Sequence, residues 1–374
     1  MVVIGTGSAL PARVVSNSEL ERMVDTSDEW ITTRTGIKAR HIAGPGESTS
    51  QLAALAAHRA LAMAKVDPGE LNLILVGTIT PEMTMPSCAC LVQKELGAAG
   101  AFAFDLNAAC SGFLYALDVA DKYIRNDPAM KILVIGAETL STRVDWQDRN
   151  TCVLFGDGAG ACLVTGENGT DKVESPLSPQ DAEPCVSGHS APQVAASGMA
   201  KRTTVREPYR SPQDAVQCDR LPRGYLGGRL YADGSLWELL HLGGSGLNRE
   251  LLHGESEPAP SIKMNGREVF RYAVRAMSDA VTAILSQQGV EAGELKLVIP
   301  HQANIRIIRS LREHLGLPPE KVYVNVDKYG NTSAATIPIA LDEANRQGLL
   351  GRDDLLLLCS FGGGFTWGAS LLRW

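Results

Sequence analysis

Four nearly unbroken apolar runs stand out along the chain: LILVGT at 73–78, AFAFDL at 101–106, KILVIGA at 131–137 and LLLLCSF at 355–361. Runs of this length, with little polar alternation, predict strands in a sheet covered on both faces. Other segments carry apolar residues every three or four positions, as in AALAAHRALAMAK at 53–65 and MSDAVTAILSQQG at 277–289. That spacing places them on one face of a helix. The order strand, helix, strand, helix, strand, strand predicts a layered α/β architecture.

The pattern occurs twice. VDPGELNLILVGTIT at 66–80 is echoed by VEAGELKLVIPHQAN at 290–304, an offset of 224 positions. The same offset relates NAACSGFLYALDVAD at 107–121 to NTSAATIPIALDEAN at 331–345. FGDGAGACLV at 155–164 resembles FGGGFTWGASLL at 361–372, each a glycine-rich turn before an apolar strand. A fixed order of repeats predicts two similar halves, residues 1–165 and 227–374. Residues 166–226 interrupt them with seven of the 19 prolines and only eight Leu, Ile, Val or Phe residues, too few for a packed core. This segment is expected to be a disordered insertion.

Composition narrows the class. Apolar residues make up 44%, charged residues 21% and aromatics 5%, with a formal net charge of −7, as in a globular enzyme. An acidic balance argues against non-specific nucleic-acid binding. No apolar run is long enough to span a bilayer and no leader pattern opens the chain, so a cytoplasmic location with no membrane partner is expected. The eight cysteines are widely spaced and read as reduced thiols. Cys88 and Cys90 have no second pair or histidine ligand spacing nearby, so no metal is expected.

The repeat gives chemistry to particular residues. Asn107 pairs with Asn331, and Cys110 pairs with Ala334. If a pseudo-twofold axis relates the halves, two helix starts converge on a common centre. His301 ends the strand KLVIPH, where open α/β sheets place their ligand crevices. A cysteine at a helix N-terminus beside a histidine is expected to have a lowered thiol pKa. Taken singly, Cys110 reads better as a buried small thiol than as a nucleophile, His301 also reads as a loop-bonded strand end and Asn331 as a helix cap. Glycines 362–364 read as a tight turn or as an oxyanion hole built of backbone N–H groups.

Together, AACSGF, PHQANIRII, GNTSAA and FGGGFTWG, with DTSDEWITTRTGI and FGDGAGA, resemble the β-ketoacyl-[acyl-carrier-protein] synthase III family of condensing enzymes. The resemblance covers the chain apart from about 166–226. It implies a thiolase-like five-layered αβαβα fold, a homodimer and catalysis without a metal or redox cofactor. It implies decarboxylative condensation of a short acyl-CoA with malonyl-acyl carrier protein (malonyl-ACP), initiating type II fatty acid synthesis. By the same resemblance Cys110 is the acyl-accepting nucleophile, and His301 and Asn331 assist decarboxylation. Cys110 and Gly363 form the oxyanion hole, and Trp30, Arg34, Arg149 and Asn304 bind CoA. Arg267 departs from the family pattern, which commonly has asparagine there, and Met85 falls where the family caps the partner's acyl pocket. Two arginine stripes, at 267, 271 and 275 and at 306, 309 and 312, give Arg271 and Arg306 as carrier-protein contacts. A related thiolase-like condensing enzyme that joins other acyl units, a cysteine hydrolase and a non-catalytic carrier-binding protein are the rival readings.

Overall fold

In the computed structural model of the chain, residues 1–167, 222–243 and 261–374 are described. The first half holds β1 (Val2–Ala9), β2 (Arg13–Ser16), α1 (Asn17–Leu20), α2 (Asp28–Thr35), β3 (Ala39–Ile42) and α3 (Thr49–Ala64). It continues through β4 (Leu73–Gly77), α4 (Cys88–Leu96), β5 (Phe102–Leu106), α5 (Gly112–Asn126), β6 (Ile132–Thr139) and β7 (Asp157–Thr165). The second half holds β8 (Gly224–Ala232), β9 (Leu240–Leu242), β10 (Ile262–Met264), α6 (Gly266–Gln288), β11 (Leu297–Pro300) and α7 (Ile305–His314). It ends with α8 (Val326–Tyr329), α9 (Thr336–Arg346), β12 (Leu355–Gly362) and β13 (Thr366–Arg373).

The two main sheets have corresponding strand orders, β1-β7-β6-β4-β5 and β8-β13-β12-β11. In each, the first three strands are antiparallel and the next pair is parallel. The counterpart of β5 is replaced by a single parallel bridge between Val298 and Val322. Every residue of β4, β6 and β12 is buried, which is why their sequences lack polar alternation.

Alternate strand residues feed different cores. Ile74, Val76, Leu133 and Ile135 meet the alanine-rich face of α3 together with α4. Leu73, Leu75, Ile132 and Val134 face the opposite way, toward α5, α9 and residues Ile299, Leu356 and Leu358 of the second sheet. The helices α5 and α9 therefore lie between the sheets. Helix α6 covers the outer face of the second sheet, next to α7. The stack is helix, sheet, helix, sheet, helix, the five layers of the thiolase-like fold.

The expected insertion, 166–226, falls mostly outside the described residues. At its end one correction is needed: β8 begins at Gly224, so residues 224–226 belong to the second sheet. Tyr225 N–H donates to the Met1 carbonyl at 2.7 Å, and its buried ring fixes this start of the strand. A glycine-rich sequence, GYLGGRLYA, masked the strand because its weak apolar alternation carries little signal.

Candidate active site

The start of α5 follows a 3-10 turn, Ala109–Ser111, that carries Cys110. Ala109 sits in the left-handed region at φ 45°, a conformation that costs a non-glycine residue roughly 1 to 2 kcal/mol. The hairpin of β12 and β13 supports this turn. Ser360 Oγ donates to the Cys110 carbonyl at 2.8 Å, and Thr366 Oγ1 donates to the Ala108 carbonyl at 2.7 Å. Gly362 is required here, because a Cβ would lie 2.7 Å from the Cys110 nitrogen.

The second turn, Ser333–Ala335, leads into α9 in the same way, with Ser333 at φ 51°. Asn331 precedes it and is docked on the lead-in to β7: its N–H donates to the Leu154 carbonyl at 2.9 Å and its carbonyl accepts from Gly156 N–H at 3.1 Å. Its side-chain Oδ1 accepts from Ser333 N–H at 2.8 Å. The amide nitrogen is thus the end left for a ligand. His301 follows β11, with its N–H donated to the Cys359 carbonyl at 2.8 Å and its Nδ1 2.6 Å from Thr336 Oγ1. Gln302, beside it, is structural: its side chain bonds the Pro300 and Tyr323 carbonyls and accepts from Asn325 and Val326 N–H.

Cys110, His301, Asn331 and Gly363 all line one cavity of about 1280 Å³. Trp30, Arg34, Asn304, Arg267 and Arg306 also line it. Arg149 is not a lining residue but lies over the Trp30 ring, 5.1 Å from its centroid, with Arg34 4.6 Å from the same centroid. It is held there by the Asp25 carbonyl, to which it donates at 2.9 Å. Asn304 caps α7, accepting from Arg306 N–H at 2.8 Å. Arg271 is exposed, does not reach the cavity and pairs with Glu268 at 2.6 Å. Sequence reasoning missed Trp237, Leu240 and His241, which form part of the wall and belong to no motif. It also missed Thr336 and Glu138.

Electrostatics correct one expectation. Burial pushes the Cys110 thiol up to about 12, although the Ser333 side chain and the Cys110 backbone N–H act the other way. Burial pulls His301 down to about 3. Desolvation therefore outweighs the helix terminus, and the resting pair is neutral thiol and neutral imidazole. Glu138, buried on β6 and bonded by Thr80 Oγ1 at 2.5 Å and Ile79 N–H at 3.2 Å, is raised to about 7 by burial. Its charge further disfavours the thiolate.

A full-length relative decides the family. The protein of Desulfotalea psychrophila named β-ketoacyl-[acyl-carrier-protein] synthase III is 50% identical over all of this chain and 99% of its own length. This chain belongs to the β-ketoacyl-[acyl-carrier-protein] synthase III family. It is a condensing enzyme of the acyltransferase type. The synthase III of Aquifex aeolicus is 46% identical over all of this chain and 99% of that protein. The 3-oxoacyl-[acyl-carrier-protein] synthase III family model matches residues 104–178, and its C-terminal model matches residues 285–374. The crystal structure of 3-oxoacyl-[acyl-carrier-protein] synthase III from Aquifex aeolicus covers all of this chain and 99% of that one, with a TM-score of 0.79 and 47% identity. A priming β-ketosynthase of the R1128 polyketide pathway covers all of this chain and 95% of its own, at 0.80 and 32%. Among the described residues, no helix is long and apolar enough to cross a membrane and no His, Cys, Asp and Glu cluster could hold a metal ion.

Proposed function

We propose that this synthase III family member condenses a short acyl-CoA with malonyl-ACP, the initiating step of fatty acid synthesis, using Cys110 as nucleophile and His301 and Asn331 on the malonyl thioester. The observation that carries the reading is that these three residues, from two helix starts and a strand end, line one cavity.

In the loading step the Cys110 sulfur bonds to the thioester carbon and loses its proton. The carbon–sulfur bond to CoA breaks, and the departing CoA sulfur takes up a proton. The N–H groups of Cys110 and Gly363 are the donors for the tetrahedral oxyanion. In the second step the malonyl carboxylate leaves as CO2, and its bonding pair becomes an enolate on the ACP thioester. The Asn331 amide N–H and His301 Nε2–H donate to the enolate oxygen, and Asn331 is suited to this because Ser333 already holds its Oδ1. The enolate carbon attacks the acyl group on Cys110, whose sulfur leaves and is reprotonated.

Trp30, Arg34, Arg149 and Asn304 serve CoA in this reading. The indole offers a face for the adenine, with the Arg34 and Arg149 guanidinium groups beside it to meet the base and phosphates. Arg306, exposed at the cavity wall, and Arg271, exposed on α6, are the contacts for the acidic carrier. The reading includes a cytoplasmic homodimer. Its support is β5, an edge strand with Phe102 47% exposed, near a loop on which Met85 is 84% exposed. Among the described residues Cys88, Cys90, Cys110, Cys152, Cys162 and Cys359 are free thiols.

The test is product formation from acetyl-CoA and malonyl-ACP with purified enzyme. β-Ketoacyl-ACP is the expected product; free acetate without it is the hydrolase outcome and overturns the reading. Arg306→Glu is expected to raise KM for malonyl-ACP and leave loading by acetyl-CoA unchanged. Equal loss of both activities removes the carrier role of Arg306.

A further inference from the structure

Thr336 is buried at the first position of α9 and carries a hydroxyl against the site histidine. That hydroxyl has one proton and two partners in reach, His301 Nδ1 at 2.6 Å, whose role depends on the ring tautomer, and the Ser333 carbonyl at 3.0 Å, which can only accept. The Ser333 carbonyl already accepts the Thr336 backbone N–H. Nδ1 is therefore the nearer partner and, in the Nε2–H tautomer, the acceptor in greater need of a donor. Burial keeps the imidazole neutral, with a single ring proton. When Nδ1 accepts, that proton is on Nε2.

The duplicated half gives an independent indication that these positions work as a pair. The counterparts of His301 and Thr336, 224 positions earlier, are Gly77 and Gly112. They meet through their backbones, and a Cβ on Gly77 would lie 2.7 Å from the Gly112 carbonyl carbon. The strand end and the helix start thus face each other in both halves. Where there is no imidazole there is no hydroxyl; where the imidazole stands, a hydroxyl stands against it.

We infer that Thr336 is a positioning residue, donating to His301 Nδ1 and so fixing the Nε2–H tautomer that meets the enolate oxygen. Thr336 makes and breaks no covalent bond and never touches the substrate. The inference rests on the proposed role of His301 in condensation.

Thr336→Val removes the hydroxyl at nearly constant shape, and Thr336→Ser keeps it. Nitrogen NMR of histidine-labelled enzyme is expected to give the Nε2–H form of His301 in the wild type and in Thr336→Ser, with the Nδ1–H form gaining population in Thr336→Val. Condensation is expected to fall about 10-fold to 100-fold in Thr336→Val, the size seen when a partner that orients a functional histidine is lost. Loading of Cys110 by acetyl-CoA stays within about twofold, and Thr336→Ser restores condensation. An Nδ1–H signal in the wild type overturns the inference even if Thr336→Val does not fold. So does wild-type condensation by Thr336→Val, or equal loss in both variants. His301→Ala, measured alongside, separates the two levels: full condensation in that variant overturns the role of His301 itself, whereas its loss beside an unaffected Thr336→Val overturns only the role of Thr336.

Discussion

The turns at 107–112 and 331–336 share a backbone and differ in chemistry. In both, an asparagine side chain accepts from the N–H two residues on, a left-handed residue follows, and a 3-10 turn opens into a helix between the sheets. Each turn also rests on the other half's sheet. Ser360 and Gly362 of β12 support Cys110, while at the equivalent places on β6 Gly136 abuts Ala334 and Glu138 faces Ser333. The difference lies in which member of each mirrored pair keeps a side chain. Cys110 faces Ala334, His301 faces Gly77, Thr336 faces Gly112 and Glu138 faces Gly362 across the repeat. Both turns are strained, and in the proposed mechanism one seats the nucleophile while the other carries Asn331 and holds Thr336 against His301, which comes from the end of β11.

The hardest way to break this comparison is to move the thiol. Cys110→Ala is expected to lower acyl transfer at least about 1000-fold, and adding Ala334→Cys is expected to restore none of it, because Ala334 is buried and does not line the cavity. An acyl adduct on the transplanted cysteine, found by peptide mass analysis, would show the turns to be interchangeable.

A smaller effect is expected at Gly362, where the first turn needs an absent side chain. Gly362→Ala forces a Cβ against the Cys110 nitrogen, so a loss of roughly 1 to 3 kcal/mol in denaturant unfolding is expected, with slower loading. Unchanged stability would mean that the turn has room to shift. The mirror position carries Glu138, whose effect is expected to be smallest and visible in pH dependence. Its pKa is raised from 4.5 in the unfolded chain to about 7, so the folded state binds its proton more tightly. The stability tied to that proton is complete below about pH 4.5 and is lost as pH rises through about 7. His301 has the opposite slope, because a pKa lowered from 6.5 to about 3 makes folding more favourable as pH rises across that window. The wild type minus Glu138→Gln difference removes the histidine contribution. It is expected to turn against the wild type between pH 5 and pH 8 in chemical denaturation, and a pH-independent difference would contradict the assignment.

The layers, and three residues that meet at one cavity, were legible because repeated apolar runs and repeated turn motifs survive as patterns in one dimension. Cys110, His301 and Asn331 could be matched to their counterparts without a structure. Thr336 was also within reach, since its counterpart Gly112 differs just as Gly77 differs from His301, but the pairing depends on a strand end meeting a helix start. The thiol pKa was misjudged because a helix terminus is visible in sequence and the extent of burial is not. Trp237, Leu240 and His241 join the cavity through β9 and the turn before it, short elements with no periodicity to announce them. The start of β8 was lost among its glycines for the same reason.

Intact-mass analysis after acetyl-CoA and then malonyl-ACP tests the division between the two turns most directly. The wild type and Asn331→Ala are expected to gain one acetyl group, and Cys110→Ala none. Malonyl-ACP then clears the adduct from the wild type at least about 100-fold faster than from Asn331→Ala, the size expected for a lost donor to the enolate. An acetyl adduct that persists in Cys110→Ala, or one that Asn331→Ala passes to malonyl-ACP as fast as the wild type, would contradict it.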